Sequence, residues 1–338
     1  MNKVINVTTI RDVAKDANVS VATVSRVMND NGYVNPETRE KVKETIARLN
    51  YQPNSVARSL YKKESKTIGI MVPDIMNPYF PELVRGVEDY LIEKGFTTIL
   101  CNTDEDPEKE RLYLDVMKQR YVDGAIIVSN TLKRDLIDEY DMPIVALDRS
   151  IHENVPTFMV DNTVGAEQAT QHLIDIGCKR IAHVRGPEHV ENATARYEGY
   201  YKIMQQTNGF QEHCVVQGDF DQKQSAKAVK QLLQEQPEID GIFAGNDIMA
   251  LGALKGAESL GIKVPQELAI IGFDGIDLSS MTIPELSTMS QPIYEMSTQA
   301  ADALMSLISG QTADETEHIY QPTLEWRQST DRIRKEDN

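Results

Sequence analysis

Ten polar and aromatic side chains stand just beyond short apolar runs. Asn77, Tyr79 and Phe80 follow the run at 68–72, and Asp148 and Arg149 follow 144–147. Arg196 lies beyond 181–184, Phe220 follows 215–216, Asn246 follows 242–244, Asp274 follows 268–273, and Gln291 follows Thr288 and Met289. Carboxylates and planar amides bond adjacent hydroxyls, guanidinium groups donate to them, and aromatic faces cover the C–H surface of a ring. The set therefore suits a polyhydroxy ligand, with Asp148, Asp274, Asn246 and Gln291 as acceptors, Arg149 and Arg196 as donors, and Tyr79, Phe80 and Phe220 as stacking rings. Singly, each has a plainer reading: Asp148 as a helix cap, Asp274 as a turn residue, Arg196 as a surface charge. Their joint placement at the ends of apolar runs favours the ligand.

Asp148 and Asp274 could also act as the acid/base pair of a glycosidase, but the same carboxylates explain hydroxyl binding without chemistry. No dinucleotide-binding glycine fingerprint, phosphate-cradling loop or nucleophile elbow is present. The six histidines show no metal-ligand spacing, so neither metal nor cofactor is expected. The three cysteines are widely separated and odd in number, which fits a reducing cytoplasm better than a disulfide framework. No apolar run is long enough for a membrane span, and the first nine residues hold no apolar export signal.

Short apolar runs must be strands if they are to present these residues. Those already named, with 98–101 and 125–128, alternate with helical periodicity near 80–91, 112–118, 165–176, 195–205, 224–234 and 248–260. Such alternation predicts α/β architecture with parallel sheets and a ligand at the carboxyl ends of the strands. Two successive sets of about four units predict two similar lobes with a cleft between them.

The first 63 residues differ. The 338-residue chain has a net charge of −17, yet residues 1–63 hold eleven bases and six acids, leaving −22 on residues 64–338. A small basic head on an acidic body suggests a nucleic-acid-binding module joined to another domain. Thr9 can cap a helix over 10–17, Ser20 a second over 21–28, and Asn35-Pro36 a third reaching about Leu49. Helix, tight turn, helix and closing helix form a helix-turn-helix, whose second helix enters the major groove. That helix would present Val21, Ala22, Thr23 and Arg26; arginine bonds a guanine edge and small apolar groups touch thymine methyls. Arg39, Lys41 and Tyr51 suit phosphate contacts, which position without reading sequence.

The segments Thr9-Ile10-Arg11-Asp12-Val13-Ala14, Val19-Ser20-Val21-Ala22-Thr23-Val24-Ser25-Arg26-Val27 and Asn50-Tyr51-Gln52-Pro53-Asn54-Ser55-Val56-Ala57-Arg58-Ser59-Leu60 resemble the LacI/GalR family of repressors. The resemblance continues from about Thr67 to Arg327 through a two-lobed core like that of periplasmic ribose-type binding proteins. It implies a helix-turn-helix domain with a hinge helix over 1–63, an effector-binding and dimerisation core over 64–338, and three lobe crossings near Asp161, Gln291 and Pro322. The base-reading positions it implies are Val21, Ala22 and Arg26. Thr9, Thr23, Asn29, Tyr51, Asn54 and Ala57 join the expected DNA contacts, and Leu60 is the apolar wedge of the hinge in the minor groove. The ten effector residues match the ribose site of ribose-binding proteins, save that Tyr79 replaces a usual phenylalanine. The segments 29–34 and 57–62 are similar to those of ribose-responsive members. The implied partners are operator DNA, a second copy of the chain, and D-ribose or a close pentose. A phosphorylated carrier protein as co-repressor of a global catabolite regulator is the alternative within the family, and a free sugar-transport receptor the alternative outside it.

Overall fold

The computed structural model describes residues 8–51, 64–129, 131–132, 134–207, 209–312 and 315–332. Two compact units divide at Ser65 and Lys66. The expected hinge residues Asn54, Ala57 and Leu60 lie outside the described residues.

In the first unit the helices are α1 (Ile10–Asp16), α2 (Val21–Met28) and α3 (Pro36–Arg48). Each begins at a side-chain cap, which satisfies backbone N–H groups that have no partner within the helix. Thr9 and Asp12 form a reciprocal capping box, Ser20 Oγ accepts the Thr23 N–H at 3.1 Å, and Asn35 caps α3 ahead of Pro36. Asn18 takes the left-handed backbone conformation (φ 54°) that turns the chain tightly between α1 and α2. Val13, Val24, Val27 and Val42 meet in the head's small core.

The second unit is built on two sheets. The first holds β1 (Thr67–Val72), β2 (Thr97–Asn102), β3 (Gly124–Ile127), β4 (Ile144–Leu147) and β5 (Thr157–Val160). The second holds β6 (Ile181–Arg185), β7 (Val215–Gln217), β8 (Gly241–Ala244), β9 (Ala269–Asp274) and β10 (Ser287–Ser290). The chain then returns through β11 (Glu317–Tyr320) to the first sheet and β12 (Thr323–Glu325) to the second, completing six strands in each. The orders are β2-β1-β3-β4-β5-β11 and β7-β6-β8-β9-β10-β12, the same winding twice. All pairings are parallel except β10 with β12. The central strands are buried on both faces, as parallel sheets covered by helices require.

The intervening helices are α4 (Tyr79–Glu93), α5 (Pro107–Gln119), α6 (Arg134–Ile137), α7 (Asn162–Asp175), α8 (Glu191–Gln206), α9 (Gln222–Glu235), α10 (Asp247–Glu258) and α11 (Ile293–Ile308). The lobe crossings fall at Asp161, between β5 and α7; at Gln291, between β10 and α11; and at the Gln321-Pro322 link between β11 and β12. The strands β5, β11 and β12 and the helices α6 and α11 were not among the expected elements.

The helices α7 and α8 pack closely enough to need a glycine. A Cβ on Gly199 would lie 2.4 Å from the Thr163 carbonyl oxygen and 2.7 Å from the Ala166 methyl. Gly199→Ala gains about 1 kcal/mol of helix propensity. The clash is with backbone, which cannot swing aside, so the expected outcome is still a net loss of about 1 kcal/mol or more. Urea unfolding checks this as a lowered midpoint at unchanged m.

Candidate functional site

A cavity of about 570 Å³ opens where the carboxyl ends of the two sheets face each other. Every expected ligand residue except Gln291 lines it. Asn77 accepts the Tyr79 N–H at 3.2 Å as the chain leaves β1, which turns Tyr79 and Phe80 inward at the start of α4. The two rings meet edge to face at 5.2 Å. Phe220 follows β7 on two successive left-handed residues, Asp219 and Phe220. Its ring covers Gly186, where a Cβ would fall 2.6 Å from the ring edge.

The charged groups form a connected floor. Asp148, at φ 70° after β4, accepts from Tyr79 Oη at 2.8 Å on Oδ1 and from Arg149 Nε at 3.0 Å on Oδ2. Arg149 reaches on to Glu105 at 2.6 Å, and His189 of the other lobe approaches the second Glu105 oxygen at 3.2 Å. Arg196, on α8, lies 3.1 Å from Asp274 Oδ1 and donates to Asn162 Oδ1 at 2.8 Å and to the Gly245 carbonyl at 2.6 Å. Its guanidinium sits 3.9 Å over the Phe273 ring. Asp274 takes both side-chain contacts, from Arg196 and from Gln291 Nε2 at 2.8 Å, on the one oxygen Oδ1. Its other oxygen keeps lone pairs for a ligand hydroxyl.

The electrostatics follow from burial. Asp274 is pushed up to about 6 by desolvation, against the pull of the Arg196 guanidinium. Burial, with the carboxylates of Asp148 and Asp274 adding to it, raises the Tyr79 phenol well above its ordinary value, so it remains a donor. Arg149 loses to desolvation but gains more from Asp148 and Glu105, and stays charged.

One polarity and one position differ from expectation. Asn246 accepts the Met249 N–H at 2.9 Å as the cap of α10, so its carbonyl oxygen is used and its NH2 is left as a donor. Asn77, for which no polarity was expected, also spends its oxygen on a backbone group, the Tyr79 N–H. Gln291 is not among the lining residues and instead donates to Asp274.

Other residues carry work that strand-end reasoning missed. Asn192, on α8, lines the cavity and donates to the Asp148 carbonyl at 3.3 Å, from one lobe to the other. Glu105 and His189 close the cavity rim. Asp247 is fully buried and fixes the turn that holds Asp274, accepting from Gly275 N at 2.9 Å, Ile276 N at 3.0 Å and Thr288 Oγ1 at 2.7 Å. Its position beside Asn246 in an α10 start was the only signal available.

On the head, Val21, Ala22, Arg26 and Asn29 are exposed along α2, whereas Thr23 is partly covered and bonded to Ser20 Oγ at 2.9 Å. Thr9 is exposed but committed to its capping box. Arg39 pairs with Asp30 at 2.5 Å. Tyr51, expected at a phosphate, is only 9% exposed and packs into the head core.

A helix-turn-helix unit joined to a two-lobed, doubly wound ligand core defines a class: ligand-responsive DNA-binding regulators. Residues 9–54 match the family of bacterial regulatory proteins of the lacI type, and residues 65–327 match the periplasmic binding proteins and sugar binding domain of the LacI family. The chain belongs to the LacI family, whose members are transcription regulators rather than enzymes. It is 47% identical over 323 residues to the ribose operon repressor of Halalkalibacterium halodurans, covering 96% of this chain and 97% of that one. A lac repressor dimer bound to operator and an anti-inducer shares the fold at a TM-score of 0.87 and 27% identity, over 96% of this chain and 99% of that one. A LacI-family regulator from Enterococcus faecium with bound ribose matches at 0.72 and 32% identity, over 79% of this chain and 100% of its own. No helix among the described residues is long and apolar enough to cross a membrane.

Removing Arg196 strands the Asp274 carboxylate in the interior. Arg196→Met is expected to cost about 3–5 kcal/mol of unfolding free energy at pH 8. The native pKa of about 6 exceeds the unfolded value of about 3.9. The folded state therefore binds the proton more tightly, and this group's contribution to stability falls as pH rises between those values. Loss of Arg196 raises the native pKa further and extends that fall upward. Urea unfolding is expected to show a smaller deficit at pH 5 than at pH 8; equal deficits would discount the ion pair.

Proposed function

We propose that this chain represses a sugar-utilisation operon and that a small sugar, D-ribose, binds in the cleft and releases it from operator DNA. The observation that carries the reading is the cavity itself. Charged and amide groups of opposite polarity converge there from both lobes, and Phe80 and Phe220 provide apolar ring faces. The ribose operon repressor at 47% identity and the ribose-bound neighbour support the choice of sugar.

The exposed edge of α2 is the candidate base-reading surface, with Arg26 for a guanine edge and Val21 and Ala22 for thymine methyls. Asn54, Ala57 and Leu60 are the proposed minor-groove contacts of the hinge. Asp148, Arg149, Arg196, Asn246 and Asp274 are proposed to hold the sugar, with Gln291 steadying Asp274. Two copies pair through their cores, so that two heads meet the two halves of a near-palindromic site. Supporting that pairing, Ile283 is 98% and Met281 69% exposed, and Ile283 and Pro284 border a hollow lined by Leu251, Leu254 and Val264 together with Lys255 and Glu258. Apolar surface of this kind marks an interaction site.

The coupling between sugar and operator is reciprocal: if sugar weakens operator binding, operator weakens sugar binding by the same factor. Calorimetric titration with ribose, glucose, galactose, purine bases and nucleosides is expected to show saturable binding by ribose. Operator binding is expected to weaken when ribose is added, and Asp148→Ala to leave operator affinity intact while abolishing the ribose effect. Unchanged operator affinity at saturating ribose would refute the inducer assignment. Ile283→Asp is expected to shift the chain toward monomer in sedimentation, with operator affinity falling alongside.

A further inference from the structure

The wall of the cleft carries far more negative charge than positive. Seven carboxylates line it against two guanidinium groups, and no lysine is among the described lining residues. Asp148, Glu105 and Asp274 are answered by Arg149 and Arg196. The other four are Asp74 and Asp104, after β1 and β2 in the first lobe, and Asp219 and Asp221, after β7 in the second; all four are exposed to solvent on the cavity wall. Asp104 pairs with Lys109. Among the described residues, Asp74, Asp219 and Asp221 form no ion pair.

A bound phosphate group needs what this wall lacks. Such anions are held by arginines or lysines free to face them, or by open N–H groups at helix N-termini. Arg149 is engaged by Asp148 and Glu105, and Arg196 by Asp274, Asn162 and the Gly245 carbonyl. Helices α9 and α10 begin at the cavity, but Asp221 accepts the Gln224 N–H at 2.7 Å and Asn246 the Met249 N–H at 2.9 Å. Helix α8 has no side-chain cap, yet it opens on Glu191, whose charge already answers the positive end of its dipole. Salt screens charges over about 8 Å at physiological strength, a length comparable with the width of a cavity of about 570 Å³. A phosphate dianion anywhere inside therefore meets the field of several carboxylates at once.

We infer that the cleft is a charge filter that admits a neutral sugar and rejects the phosphate ester of the same sugar, with Asp74, Asp219 and Asp221 as the specificity-determining residues. This rests on the sugar reading above and narrows it to the unphosphorylated ligand. Sites discriminate against a competitor by setting like charges and unpaired groups against it as well as by holding the favoured ligand. A neutral sugar meets no such repulsion, and its hydroxyls can donate to carboxylates.

Calorimetry on the full chain with D-ribose, and competition by D-ribose 5-phosphate, test this. The wild type is expected to bind ribose and to take the phosphate more weakly by about tenfold or more. The triple variant Asp74→Asn, Asp219→Asn, Asp221→Asn removes three charges at nearly constant volume. Asparagine can keep the bond from Met76 N–H at position 74, the left-handed backbone at 219 and the helix cap at 221. The variant is expected to bind the phosphate about tenfold more tightly than the wild type does, and ribose within about twofold of it; circular dichroism and the urea midpoint establish that it folds. Raising sodium chloride from about 0.05 M to about 0.5 M is expected to favour the phosphate in the wild type too, which needs no variant. No gain for the phosphate in either experiment would assign its exclusion to shape and overturn the proposal. A gain with salt but none in the folded variant would overturn the assignment of these three residues, as would loss of ribose binding in that variant. Wild-type binding of the phosphate as tightly as ribose would overturn the filter while leaving the sugar reading intact. Failure of the wild type to bind ribose would remove both.

Discussion

Placing Arg196 and Asp274 together, both almost wholly buried at the cavity wall, is the constraint around which this core is arranged. A buried charge persists only if its partner and its remaining hydrogen bonds are all supplied. Meeting that demand recruits α8 for the arginine, the end of β9 for the carboxylate, Asn162 at the first crossing and Gln291 at the second. The Gly245 carbonyl and the Phe273 ring complete the shell. Residues that line the cavity and residues at the lobe crossings are thus one connected set, and neither can be rearranged without disturbing the other.

The doubled winding explains how such a set arises. Each sheet places its β1- or β6-type strand at the reversal of strand order, and loops leaving the carboxyl ends there splay apart into a crevice. Setting two such crevices mouth to mouth encloses a ligand from opposite sides. The crossings keep them in register, because three chain segments pass between lobes at one edge and none at the other.

Much of this was legible in the sequence, for identifiable reasons. Apolar runs such as those of β1, β4 and β9 have no partner but a covered sheet, and caps at Thr9, Ser20 and Asn35 mark helix starts almost to the residue. The edge strands escaped: β11 alternates exposed and half-buried residues without a continuous apolar run, and β12 spans only three residues. Helix α11 carries the apolar face that covers β3, β4 and β5, yet its partner surface is assembled from segments more than a hundred residues earlier. At the site, residue type predicted location well but missed the polarity of Asn246. An amide shows two faces, and which one the ligand meets depends on the backbone group that claims the other, as Met249 N–H does at Asn246. Asn192 is invisible for another reason: it lies within a helix, and its contact with the Asp148 carbonyl exists only once the lobes are apposed.

That last contact changes what a measured affinity means. Asn192 with Asp148, and His189 with Glu105, join one lobe to the other without involving any ligand. They stabilise the apposed form on their own account, so an empty chain already populates it to some fraction. The apparent dissociation constant is the intrinsic one divided by that fraction. A substitution at the rim that loosens apposition by about 1.4 kcal/mol weakens binding about tenfold when the apposed form is scarce, with every ligand contact intact. Affinity in this protein is therefore a gauge of how its two halves balance as much as of how well the pocket fits.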